Sequence, residues 1–151
     1  MSVSERLSEL GIELPAVAAP VAAYVPAVQS GKQIITSGQL PFVDGRLDAV
    51  GKVGAEVTLE QAQAAAEICV LNALAAVASL ANLDDIIKIV RLGVFVASEP
   101  NFTAQPAVAN GASELIGKIF GEAGAHARAA VGVAVLPLNA CVEVELVAEV
   151  R

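Results

Sequence analysis

The segment from Cys141 to Val150 alternates between apolar and acidic residues, and this alternation restricts the fold more than any other feature of the chain. Successive side chains of a β-strand point to opposite faces of a sheet, so the pattern predicts a strand whose valines face the core. Glu143, Glu145 and Glu149 then lie on the opposite face. The chain is therefore expected to contain a sheet with one face packed on a core and another that carries carboxylates.

Four other segments have the composition of strands. Tyr24 to Gln29 and Gln33 to Ser37 are short runs separated by a glycine-containing loop, which predicts a hairpin. Ile86 to Val96 is apolar at most positions, as expected of a strand that is buried on both faces. His126 to Leu136 alternates again, and residues 136–139 form the turn that leads into the last strand.

Two segments are predicted to be helices. Thr58 and Gln61 have the spacing of a capping box, and the apolar residues that follow predict a helix that extends to Leu80. Pro106 fits the first turn of a second helix, which Gly121 can end. The order is two strands, helix, strand, helix and two strands, which predicts an α+β fold with a single sheet and both helices on one face.

The length of 151 residues is enough for one core and too short for two ordinary domains. We expect an N-terminal arm over residues 1–22, with a short helix at Ser4 to Leu10, and a single domain over residues 23–151. Apolar residues make up 56% of the chain and charged residues only 17%, so the open face of the sheet needs a cover. We therefore predict that subunits associate through that face.

Charge and composition exclude several classes of protein. Nine basic residues against 16 acidic ones give a net charge of −7, which excludes a typical basic nucleic-acid-binding protein. The single histidine, His126, has no partners at metal-ligand spacing, so we predict no metal site and interpret it as a residue at the start of a strand, near solvent. Cys69 and Cys141 are expected to be reduced and buried. Neither a secretion signal nor a membrane span is recognised, so we expect a cytoplasmic protein.

Arg128 and Glu143 are the residues most suited to chemistry. The period of two and the short connection between the last two strands predict that both side chains lie on the same face of the sheet. An arginine can hold a carboxylate through two parallel hydrogen bonds, and a nearby carboxyl group can position or deprotonate a water molecule. The alternative is a cross-strand ion pair between Arg128 and Glu143 with no catalytic role.

Five segments, in this order, resemble the signatures of the RidA (YjgF) reactive imine deaminase family: residues 36–41 (TSGQLP), 94–96 (VFV), 127–129 (ARA), 135–137 (VLP) and 142–145 (VEVE). The resemblance implies a chorismate-mutase-like fold, assembled as a homotrimer whose sheets form a central barrel. It also implies active sites in the clefts between subunits, where reactive 2-imino acids are hydrolysed to 2-oxo acids and ammonia without a cofactor.

The resemblance further implies a role for individual residues. Arg128 would bind the substrate carboxylate and Glu143 would position the attacking water, while the pocket would be lined by Tyr24, Ser37, Gly38 and Asn110. Two alternatives remain open at this point. One is a trimeric interaction protein that binds a small carboxylate metabolite without catalysis. The other is a ribonuclease or translation inhibitor, which the net negative charge disfavours.

Overall fold

The computed structural model describes residues 1–17 and 23–151, and it confirms the predicted order of strands and helices. The short helix predicted at Ser4 to Leu10 is also present, over Val3–Glu9, and precedes that order. The elements are α1 (Val3–Glu9), β1 (Ala27–Ser30), β2 (Gln33–Thr36), α2 (Leu59–Ala78), β3 (Ile86–Ala97), α3 (Gln105–Phe120), β4 (Ala127–Val133) and β5 (Val142–Val150).

All five strands form one sheet in the order β1-β2-β5-β3-β4. β3 and β4 run parallel and are joined by the crossover helix α3, whereas the other neighbouring strands are antiparallel. β4 and β5 therefore do not pair, although they are consecutive in sequence. Residues 134–141 carry the chain across β3, and β5 is inserted between β2 and β3, with which it pairs over most of its length.

The strand β1 is shorter than predicted, because it begins at Ala27 rather than at Tyr24. Pro26 has no backbone N–H to donate to a neighbouring strand, so the ladder starts after it. Its carbonyl oxygen instead accepts a hydrogen bond of 2.8 Å from the backbone nitrogen of Ser37. The segment that contains Tyr24 is thus connected to the end of β2 without belonging to the regular sheet.

The N-terminal helix packs against the rest of the same chain. Ser2 and Glu5 form a capping box at the start of α1, and Leu7 is buried in the common core. The Ser4 hydroxyl donates a hydrogen bond of 2.6 Å to Asp84. The predicted boundary between arm and domain falls at residue 22, which lies outside the described residues, so that boundary stays a prediction.

Both long helices cover one face of the sheet, as predicted. The Thr58–Gln61 capping box is present at the start of α2, and the buried face of this helix consists mainly of alanine. Gly111 of α3 lies against the backbone of Gln63, where a Cβ atom would overlap the carbonyl oxygen, so glycine permits the close contact between α2 and α3. By length and composition α2 could cross a membrane, but 61% of its most apolar window is buried inside this protein.

The other face of the sheet is open to solvent in the single chain. Val28 and Ile35, which are opposite each other on β1 and β2, are exposed on this face, as is Val131 of β4. The face also carries Glu145, which forms an ion pair of 3.1 Å with Arg91. An apolar surface of this kind is typical of an interface between subunits.

Candidate active site

Arg128 lies on the helix side of the sheet, on the edge strand β4. Its partner in register is Leu92 of β3, which is fully buried beneath the helices. The guanidinium extends toward α3, where Nη1 donates hydrogen bonds to Asn110 Oδ1 at 2.9 Å and to Ser113 Oγ at 3.1 Å. Nη2 is 3.5 Å from the carbonyl oxygen of Pro106. Asn110, Ser113 and Arg128 thus form a cluster that we call the arginine half-site.

Glu143 lies on the open side of the sheet, so the prediction that it shares a face with Arg128 is wrong. Its partner in register on β3 is Phe95, whereas the partner of Arg128 is Leu92. Side chains alternate between the two faces along a strand, so Leu92 and Phe95, which are three positions apart, point to opposite faces. The prediction assumed that β4 and β5 pair directly, but β3 separates them by about 10 Å. Among the described residues the two side chains form no ion pair, so the alternative of a cross-strand pair also fails.

The Glu143 carboxyl group is half-buried against the backbone of Gly38. A Cβ atom on residue 38 would overlap Glu143 Oε1, so glycine leaves the space that the carboxyl group occupies. Burial raises the pKa of Glu143 above its ordinary value, and the negative charge of Glu145 adds to this effect. Within residues 1–17 and 23–151, no group donates a hydrogen bond to this carboxyl. It is therefore free to interact with water or a ligand.

Ser37 connects Gly38 to the segment that carries Tyr24. Its hydroxyl donates a hydrogen bond of 2.6 Å to the carbonyl oxygen of Val25. The hydroxyl hydrogen is therefore not directed to a basic side chain that could activate the serine as a nucleophile. Tyr24 is 47% exposed. We call Ser37, Gly38 and Glu143 the glutamate half-site, and the Ser37 bond joins the Tyr24 segment to it.

The structure reveals two residues near Arg128 that the sequence analysis did not assign to the site. Ser113 Oγ is 2.9 Å from His126 Nε2, and His126 Nδ1 is 2.6 Å from the carbonyl oxygen of Gly124. Ser113 lies on α3 and His126 just before β4, so only the packing of α3 against the sheet brings them together. Metal-ligand spacing in the sequence does not reveal this pair, because serine is not a usual metal ligand and the two residues belong to different elements.

The prediction that both cysteines are reduced and buried agrees with the structure. Cys69 and Cys141 are free thiols in the core, and burial raises the pKa of both. No group of three or more metal-ligating side chains occurs in the part of the chain that the structure describes. A cavity of about 660 Å³ lies between residues 13–17, residues 42–45 and α2, away from both half-sites. The chemistry suggested by Arg128 and Glu143 therefore belongs to surfaces on two sides of one protomer.

Comparison with known proteins agrees with this fold. A family described as "YjgF/chorismate_mutase-like, putative endoribonuclease" matches residues 4–150. Protein TCP17 of Trypanosoma cruzi is 49% identical over 151 residues, covering 99% of this chain and 94% of that protein. The crystal structure of Atu1372 from Agrobacterium tumefaciens, a protein of unknown function, has 45% identity and a TM-score of 0.90, with coverage of 99% and 94%.

A more distant relative was solved with a bound ligand. Escherichia coli TdcF, solved with bound serine, is 26% identical and has a TM-score of 0.64, covering 90% of this chain and 93% of that one. These descriptions name an endoribonuclease, an unknown function and a serine complex, so membership alone does not assign one activity. The family match over nearly the whole chain and the 49% identity to TCP17 show that this protein belongs to the YjgF/RidA family of chorismate-mutase-like proteins.

Proposed function

We propose that this protein hydrolyses reactive 2-imino acids to 2-oxo acids and ammonia. The observation that carries the proposal is that one half-site offers a fixed cation and the other offers a carboxyl group that can exchange protons. Arg128 is a cation held in place by Asn110 and Ser113, and Glu143 is a half-buried carboxyl group with a raised pKa. A carboxylate-binding cation and a carboxyl group suited to proton transfer are what such a hydrolysis requires.

The complete site forms between two copies of the chain. Arg128 and Glu143 point away from opposite faces of one sheet, so a single protomer cannot bring them to one substrate. A closed ring of subunits that covers the open face would place Glu143 of one protomer near the edge strand β4 of its neighbour. We propose a homotrimer of this kind, since the exposed Val28, Ile35 and Val131 need a cover and the family resemblance implies three subunits.

Arg128 binds the carboxylate of the imino acid. Both hydrogens of Nη1 are directed to Asn110 and Ser113, and Nη2 makes one long contact of 3.5 Å with the carbonyl oxygen of Pro106. Among the described residues this leaves the Nε hydrogen and the second hydrogen of Nη2 for a ligand. Two parallel hydrogen bonds from Nε and Nη2 would fix the carboxylate and hence the position of the adjacent imine carbon. Orientation contributes much of the rate acceleration here, because an imine carbon next to a carboxylate is already electrophilic.

Glu143 transfers the protons. In its ionised form the carboxylate accepts a proton from water as the water oxygen bonds to the imine carbon. The substrate reacts as its protonated iminium form, so its nitrogen takes the electrons of the C=N bond and the tetrahedral intermediate carries a hydroxyl and an amino group. Glu143 then donates its proton to this nitrogen, and the C–N bond breaks with release of ammonia. As the carbonyl forms, Glu143 accepts the hydroxyl proton, which finally leaves with ammonia as ammonium. The raised pKa of Glu143 makes it a stronger base than an ordinary glutamate and brings its titration closer to neutral pH.

Two further observations support an amino-acid-like ligand. Serine, found in the structure of TdcF, carries the same α-carboxylate that a 2-imino acid would present to Arg128. Acidic residues outnumber basic residues by 16 to 9, which is unfavourable for the phosphate contacts that RNA binding requires. A carboxylate metabolite therefore suits the site better than RNA.

The test is a coupled assay in which an amino-acid oxidase releases 2-imino acids and the formation of 2-oxo acid is followed. We expect the wild-type protein to accelerate this formation and Arg128→Ala to abolish the acceleration. Catalase is present in every reaction, so that peroxide does not consume the product. Equal rates with and without protein, across several amino acids, would refute the proposed catalysis.

A further inference from the structure

A directional chain of hydrogen bonds connects His126 to the arginine half-site. The carbonyl oxygen of Gly124 can only accept, so Nδ1 of His126, 2.6 Å away, carries a hydrogen. In the neutral ring Nε2 is then an acceptor, and it lies 2.9 Å from Ser113 Oγ. With the neutral ring the hydroxyl hydrogen of Ser113 is therefore directed at His126, because Nε2 can then only accept.

The orientation of Ser113 determines what it offers to Arg128. When the hydroxyl hydrogen points to Nε2, the lone pairs of the Ser113 oxygen remain available as acceptors. Nη1 of Arg128 donates a hydrogen bond of 3.1 Å to this oxygen. The second hydrogen of Nη1 goes to Asn110 Oδ1 at 2.9 Å. Because the oxygen accepts this bond, the amide nitrogen of Asn110 remains free to donate to a ligand.

We propose that His126 and Ser113 are positioning residues for Arg128, which together determine that the Nε and Nη2 edge of the guanidinium receives the substrate carboxylate. The inference rests on the proposed function only in that the ligand has a carboxylate. Without the His126 acceptor, the Ser113 hydroxyl could rotate toward a backbone carbonyl or toward the guanidinium. The guanidinium would then lose one of the two contacts that hold Nη1.

A serine hydrogen-bonded to a histidine can also be an activated nucleophile, since the histidine is itself oriented by a third group. The contact with Arg128 favours the positioning role, because the lone pair of Ser113 is already directed to a guanidinium hydrogen. The two roles give different results with a reactive ester. A nucleophilic serine would produce a burst of p-nitrophenol from p-nitrophenyl acetate that Ser113→Ala abolishes, and such a burst would overturn the proposal.

The experiment measures pyruvate binding by calorimetry, and KM and kcat for imine hydrolysis in parallel. We expect Ser113→Ala and His126→Ala to weaken pyruvate binding and raise KM by about tenfold, with a smaller change in kcat. His126→Gln retains an acceptor for the hydroxyl, and Ser113→Thr retains the hydroxyl, so both should bind within about twofold of wild type. Thermal unfolding of each variant verifies that it is folded.

Ser79→Ala is the matched control, because this serine donates to its own helix at Ala76 and lies outside both half-sites. It should leave pyruvate binding unchanged. Wild-type affinity in both His126→Ala and Ser113→Ala would overturn the inference, as would equal weakening by His126→Ala and His126→Gln. If imine hydrolysis is absent but pyruvate binds through Arg128, the proposed catalysis fails while the binding data still decide the positioning role.

Discussion

The arginine half-site and the glutamate half-site differ in the hydrogen bonds that the protein makes to their functional groups. Two of the guanidinium's hydrogens are assigned to Asn110 and Ser113, and Ser113 is in turn bonded to His126. The carboxyl group of Glu143 has no such donors among the described residues and lies against Gly38 in a partly desolvated position. Hydrogen bonds fix the orientation of the guanidinium, whereas burial disfavours ionisation of the glutamate.

This difference indicates two kinds of function. A fixed cation with a free edge is suited to binding, because little ordering is required when the ligand arrives. A carboxyl group with a raised pKa is suited to exchanging protons near neutral pH. Each half-site is formed by a single protomer, and only their combination requires an assembly.

Loss of the guanidinium should have the largest effect. We expect Arg128→Ala to lower kcat/KM by two to three orders of magnitude, because a desolvated guanidinium–carboxylate contact contributes about 3 to 4 kcal/mol. Arg128→Lys keeps the charge but lacks the two-pronged geometry, so it should retain an intermediate activity. Steady-state kinetics of both variants measure this effect. Full activity in Arg128→Ala would place carboxylate binding elsewhere.

Replacing the carboxyl group should affect turnover rather than binding. Glu143→Gln preserves the shape of the side chain but cannot accept a proton, so we expect kcat to fall by about a hundredfold with KM nearly unchanged. Pyruvate binding by the same variant should be close to that of wild type. A large rise in KM without a change in kcat would instead assign Glu143 to substrate binding.

A methyl group at Gly38 should disturb only the glutamate half-site. Gly38 does not have a positive φ, so alanine can adopt its backbone conformation, but its Cβ would displace the end of the Glu143 side chain. We expect Gly38→Ala to fold normally and to lower kcat by about tenfold. Gly117→Ala is the matched control, since open space surrounds the added methyl group there, and it should retain full activity.

The pH dependence of stability should show a smaller effect of Glu143. Its pKa in the folded protein is raised, so the residue favours folding below the ordinary glutamate pKa, and this contribution is lost as pH rises through the raised value. The stability of Glu143→Gln relative to wild type should therefore increase between pH 4 and pH 7. Urea unfolding at fixed protein concentration measures this difference. A constant difference over that range would show that the folded protein does not raise this pKa.

Local patterns in the sequence predicted the elements well. The Thr58 capping box and the Val–Glu alternation of β5 report local geometry, and both agree with the structure. The prediction that Arg128 and Glu143 share a face of the sheet was wrong. β5 pairs with β3, and this pairing depends on contacts between residues far apart in sequence, which the short connection between β4 and β5 does not reveal. The contact between Ser113 and His126 was missed for the same reason, since it depends on how α3 packs beside β4.

Activity from mixed subunits tests most directly the claim that Arg128 and Glu143 act together across protomers. Arg128→Ala and Glu143→Gln chains, each expected to have about 1% of wild-type activity or less alone, are refolded together in equal amounts, and mass spectrometry verifies that mixed assemblies form. In a ring of three subunits about one site in four would receive both native residues, so we expect about a quarter of wild-type activity. Mixed assemblies with no recovered activity would contradict a site shared between subunits.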